Sequence, residues 1–238
     1  MGRIGLAPQL LLPHGLHKGL NMRFKPTGQE TATSRTIPAK PASPNGFDFT
    51  RHMHHLCHDA CTRLPELQHI DMQRIAVTFS QARKQVSHGL YASLTPMRFE
   101  GGTLIDTTEE RHYTVQRLFD ADGHEMMYIL RFYLPRFMEE SFQEKLVTIF
   151  HELWHVSPEF DGDLRRHDGR CYLHTHSQQE YDVSMARLVS KWLQLNPSPS
   201  LYAFLQYDFS SLQERFGRIY GIKIAHPKLI PLDQSSES

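Results

Sequence analysis

Tyr128-Ile129-Leu130-Arg131-Phe132-Tyr133-Leu134, then Pro135, then EESFQEKLVTIFHELWH from Glu139 to His155, is the stretch on which the fold turns. Its first seven residues are almost all apolar or aromatic and predict the strongest strand of the protein. Pro135 has no amide hydrogen and limits pairing near the end of that strand. From Glu139 to Val156 the set Phe142, Leu146, Ile149, Phe150, Leu153 and Trp154 recurs at helical spacing, and Pro158 stops the helix.

Further strands and helices follow on both sides. Asp48 is placed to N-cap a helix that runs through Cys57 and Cys61 to about Leu64, ahead of Pro65. Arg74 to Phe79 reads as a strand, and Leu90 to Phe99 alternates loosely until Gly101-Gly102 closes it. His112 to Phe119 and Met126 to Phe137 flank Asp120-Ala121-Asp122-Gly123, the turn chemistry of a β-hairpin. A loop over Ser157 to His176 precedes a helix from about Gln178 to Leu195, and a short helix from Phe209 to Phe216 stops at Gly217. Ile219 to Ile224 reads as a last short strand. Strands followed by helices indicate an α+β fold: a small three- to four-stranded sheet beside the Glu139 to Val156 helix, with further C-terminal helices.

Residues 1–46 carry six Lys or Arg against the single Glu30, with many Pro, Gly, Ser and Thr, and read as a disordered basic tail. Its acid-poor character resembles a transit peptide, and Met22 is an alternative start. One folded domain is expected over 47–232, followed by a polar tail over 233–238. Lys plus Arg and Asp plus Glu balance at 26 each, so bulk charge gives no support for a nucleic-acid partner. Three cysteines, Cys57, Cys61 and Cys171, are too few and too unevenly spaced for a disulfide framework, which suits the reducing cytoplasm. No apolar run approaches a membrane span, and Pro8 and Pro13 interrupt the Leu10-Leu11-Leu12 stretch, so neither a membrane partner nor secretion is expected.

His151-Glu152-Leu153-Trp154-His155 sets two imidazoles at i and i+4, where one helix face can offer both to a single ion. Glu152 is placed to stand beside the metal without ligating it and to take a proton from bound water. Zinc lowers the pKa of such water to about 7. The expected chemistry is a zinc-dependent hydrolase acting on a protein or peptide, with Glu152 as general base. A noncatalytic zinc-stabilised binding module and a zinc amidase use the same local pattern.

A catalytic zinc needs a third protein ligand, and His167, His174, His176 and Glu180 all follow within reach. Position 161, where the metzincin pattern needs histidine, is Asp161. The motif helix together with Ser157-Pro158-Glu159-Phe160-Asp161-Gly162-Asp163-Leu164-Arg165-Arg166-His167-Asp168-Gly169 resembles the phage-type metallopeptidases, relatives of the SprT-like minimal zincins. The resemblance implies a zincin-like fold with zinc held by His151, His155 and His174, the last ahead of the helix bearing Tyr181 and Met185. It also implies a substrate strand pairing along an exposed sheet edge near Tyr128 to Leu134. The C-terminal zinc ribbon common in SprT-like proteins has no counterpart, since this chain lacks any C-x-x-C.

Asp161 and Asp163 are candidates for orienting the ligand imidazoles, or else shape a turn at Gly162. Arg165 and Arg166 could hold a substrate oxyanion or form a solvated pair. His52, His54, His55 and His58 with Cys57 and Cys61 form a dense cluster on one helix, where a second metal is conceivable but buried cysteine also packs as a small apolar residue.

Overall fold

Asp48 begins the first helix as its sequence requires: the side chain accepts a hydrogen bond from the Arg51 amide, and α1 runs over Phe49–Arg63 until Leu64 turns extended before Pro65. The computed structural model describes residues 33–38, 45–81, 90–106, 112–166 and 178–232. Among these the remaining helices are α2 (Arg136–Glu139), α3 (Phe142–Trp154), α4 (Gln178–Gln194) and α5 (Phe209–Phe216), and the strands are β1 (Ser34–Thr36), β2 (Phe47–Asp48), β3 (Ile75–Gln81), β4 (Ala92–Pro96), β5 (Ile105–Asp106), β6 (Tyr113–Val115), β7 (Arg117–Phe119), β8 (Tyr128–Leu134), β9 (Ile219–Tyr220) and β10 (Leu229–Pro231). The fold is mixed α+β with small sheets and several helices.

The central sheet has the order β3-β8-β4, with β8 parallel to β3 and antiparallel to β4. Its two faces differ. Ile75, Val77, Phe79, Tyr128, Leu130, Phe132 and Leu134 point into the main core shared with α1, α3 and α4, whereas Ala76 and Ile129 point into a smaller core with Met97, Phe99, Val115, Leu118, Met126 and Ile224. Period-2 alternation along each strand produces this division. With apolar residues on both faces over its first half, β8 reads as a continuous apolar run, as a buried central strand should.

Four expectations are corrected. β8 lies between two partners and offers no edge to a substrate; the edges of this sheet are β3 and β4. The hairpin around Asp120 closes through a Phe119–Glu125 bridge and a Met126 to Leu118 backbone hydrogen bond, but β8 then leaves to pair with β3 and β4. The stretch expected as a tail contributes β1, parallel to β7, because Ser34–Thr36 satisfies an otherwise open edge there. The strand expected over Ile219 to Ile224 is only Ile219–Tyr220, paired with β2; from Gly221 the chain crosses the smaller core, and the last strand is β10, paired with β6.

The helix after β8 also begins later than its apolar period suggests. Glu140 is extended, separating α2 from α3, and Ser141 and Glu144 form a reciprocal capping box. Lys145 is buried in the first turn of α3, where its ammonium donates to the carbonyls of Leu205 (3.0 Å) and Tyr207 (2.8 Å). These contacts tie the start of the helix to the segment before α5. Leu146, Ile149, Phe150 and Leu153 then bury one face completely, with Phe150 against Trp192 of α4.

Candidate functional site

α3 is fixed at its start by the cap and Lys145, and along its length by the core, so the residues at its C-terminal end have little freedom. His151 and His155 stand one turn apart, both buried, with ring centroids 4.7 Å apart and planes at 72°. Two imidazoles on one tetrahedral ion, at Zn–N of about 2.0–2.1 Å, have ring centres about 5 Å apart. The spacing and the donor chemistry of the pair therefore fit a zinc ion.

Glu152 is also buried, on the side of α3 that meets β4. Burial pushes its carboxyl up to about 8, and a hydrogen bond from the Leu94 amide opposes that rise. A divalent cation beside it would lower the value further. The register explains why Leu94 is available. Backbone hydrogen bonds join Tyr133 to Tyr91 and Met97 to Met127, so the odd-numbered residues of β4 bond to β8 and the backbone groups of Leu94 point to the free edge. Among the described residues no strand pairs with this edge of β4, so Glu152 borders an unpaired strand edge, which Pro96, lacking an amide hydrogen, ends.

No family model matches the chain, and neither a curated protein nor a solved structure is significantly similar to it. The site therefore rests on its own residues.

The loop that leaves α3 is held on every side. Val156 and Leu164 form an antiparallel bridge, and the Arg165 amide donates to the His155 carbonyl at 2.8 Å. The Arg165 guanidinium lies 4.2 Å above the Trp154 ring centroid, donates to the Trp154 carbonyl at 2.7 Å and reaches His69 Nε2. Arg165 thus clamps the end of the motif helix. Arg166 bonds to Asp163 and Glu100.

Gly162 has φ +90 and an added Cβ would lie 2.6 Å from Arg98 Cγ, so both backbone conformation and space demand glycine there. Its amide donates to the Tyr128 hydroxyl, which donates in turn to the Asp163 carbonyl at 2.8 Å. The Asp163 carboxylate accepts from the amides of Gly101 and Leu164 and from Arg166, and Asp161 accepts from the Asp163 amide. These contacts make both aspartates builders of the turn.

His167, His174 and His176 lie outside the described residues, as does the Glu180 side chain, although the backbone at Glu180 is in α4. Among the described residues at the motif, the side chains that could ligate a metal are therefore the histidine pair. Elsewhere among the described residues, Asp120, Asp122 and His124 gather in an exposed turn. The His and Cys cluster of α1 is divided by the helix: Cys57 and Cys61 are buried free thiols whose pKa burial raises, His52 stacks on Phe47, and His54 bonds to the Met72 carbonyl. Cys57 and Cys61 belong to the main core.

The Leu94 contact, Lys145 and the Arg165 clamp were not legible as site features. The capping box was missed as well, although Ser141-x-x-Glu144 is the local signal that gives it.

Proposed function

We propose that the chain is a zinc-dependent hydrolase of zincin-like fold, a metallopeptidase that cleaves peptide bonds. The observation that carries this reading is the convergence of two buried imidazoles, one turn apart on a fixed helix, with a buried carboxylate at an open strand edge. His151 and His155 would hold the metal with a third ligand, for which His174 is the first choice and His167, His176 and Glu180 are the others. Bound zinc would supply a water of lowered pKa and a Lewis acid for the scissile carbonyl.

Glu152 takes the proton from the attacking water and returns it to the leaving amine. A carboxyl raised by burial suits both duties, since it is neither a permanent anion nor a permanent acid near neutral pH. An extended substrate would add to the free edge of β4 rather than to β8, because the backbone groups of Leu94 already face outward beside Glu152. Arg165 keeps the end of α3 and the following loop in place and acts only through them.

No described helix is long and apolar enough to cross a membrane. A cytoplasmic location belongs to the same proposal, supported by the free thiols of Cys57 and Cys61. The test is cleavage of a broad peptide library by the zinc-loaded chain and by Glu152→Gln. Turnover by the first, and turnover lowered by about 10²–10⁴-fold in the second, is expected. Equal turnover by both would end the reading.

A further inference from the structure

The face of the central sheet turned away from α3 changes character along its length. Ala76 and Ile129 are apolar, but the next rows place Thr78 and Ser93 on either side of Arg131, and Ser80 beside Tyr133. Arg131 is 3% exposed. It donates to the Ser80 hydroxyl at 2.8 Å and to the Ile224 carbonyl at 2.7 Å, while its Nε hydrogen, also buried, has no partner. Arg35 repeats the arrangement from β1: one guanidinium nitrogen donates to the Ala225 carbonyl, the residue after Ile224, and its buried Nε has no partner. His226, on the exposed rim, follows directly.

The hydrogen-bonding inventory here is one-sided. Thr78 is used up, accepting from the Ile224 amide and donating to the Ile222 carbonyl. Ser80 receives Arg131 and keeps its own proton to donate; Ser93 and Tyr133 share one hydrogen bond and keep a second proton between them. Donors are therefore in excess. Charge is equally one-sided: burial, and after it the guanidiniums of Arg131 and Arg35, lower His226; burial lowers Arg131, with Tyr133 opposing and Arg35 adding to the fall; burial lowers Arg35; and no carboxylate among the described residues acts on any of the three. Stapling the 222–226 segment to the sheet explains the terminal guanidinium nitrogens. It does not explain two buried, unpaired Nε hydrogens, since burying a donor with nothing to accept from it costs its desolvation.

We propose that Arg35, Arg131 and His226, with the hydroxyls of Ser80, Ser93 and Tyr133, form a binding site for a single phosphate group, carried as the free ion or as a monoester. A tetrahedral oxyanion offers acceptors in several directions and a compensating charge, which is what this donor set lacks. The site lies across the sheet from His151 and Glu152 and does not depend on their function.

Isothermal titration calorimetry on the full chain at constant ionic strength tests this with two probes, inorganic phosphate and O-phosphoserine. One-site saturable binding of at least one probe is expected, weakened at least tenfold in Arg35→Gln and in His226→Gln. The tighter probe identifies the source, free ion or ester. Absence of saturable binding to both, or binding unaltered by both substitutions, overturns the proposal. Should the variants fold poorly, the His226 ring resonances of the unaltered chain decide it: they shift on saturation with the probe, or remain in place and the proposal fails.

Discussion

The two faces of the central sheet bury polar groups of opposite kind. Toward α3, the sheet backs two imidazoles and the Glu152 carboxyl, a set of ligands and acceptors suited to a cation; on the far side, Arg131 and Arg35 present donors suited to an anion. Desolvation penalises polar groups on either face, and on the far side two buried guanidinium Nε hydrogens have no partner. The difference lies in support. The near side is held by a capped helix, a buried lysine and an arginine clamp, whereas the far side is covered by β1 and the irregular 222–226 segment. Rigid support is what the chemistry proposed for the near side would require, since small displacements of catalytic groups are costly.

The largest effect expected from breaking the near side is on turnover. Glu152→Gln should lower kcat by about 10²–10⁴-fold in a peptidase assay without releasing zinc, the range typical of a lost general base. Next comes Lys145→Met, which removes a charged donor from the carbonyls of Leu205 and Tyr207 and leaves both without it. A loss of about 2–3 kcal/mol is expected in urea unfolding, with kcat reduced less than by Glu152→Gln.

A third test uses pH. Folding raises the Glu152 carboxyl from 4.5 to about 8, so the folded state holds a proton there that the unfolded state has released. The stability of metal-stripped protein should therefore fall as pH rises through this window, by about 1.4 kcal/mol per pH unit at most, and Glu152→Gln should flatten the slope. A slope of the opposite sign would show Glu152 to be charged and stabilised in the fold. The smallest effect is that of Ser141→Ala, about 1 kcal/mol of stability from the capping box, with activity retained.

Much of this near side was readable in the chain. The apolar period up to Trp154, the strand Tyr128 to Leu134 and the Asp48 cap are local signals; the strand and the capped helix form where they direct, while the motif helix starts only at Phe142, after the break at Glu140. Strand order was not readable, because a buried central strand and a partly paired hairpin arm have the same apolar run; only the register with Ile75–Gln81 and Ala92–Pro96 separates them. For the same reason the outward Leu94 amide, and with it the edge beside Glu152, could not be read from the sequence. Lys145 and Arg131 look like surface charges in sequence. Their burial depends on carbonyls about 60 and 93 residues away, beyond any local pattern.

The central claim, that His151, His155 and Glu152 form a catalytic zinc site, is tested most directly by metal analysis of the purified chain paired with its peptidase activity. One zinc per chain is expected in the unaltered protein and in Glu152→Gln, with turnover lowered by about 10²–10⁴-fold in the latter, and neither zinc nor turnover in His155→Ala. A chain that folds and binds no zinc, or one whose activity survives Glu152→Gln, would contradict the account.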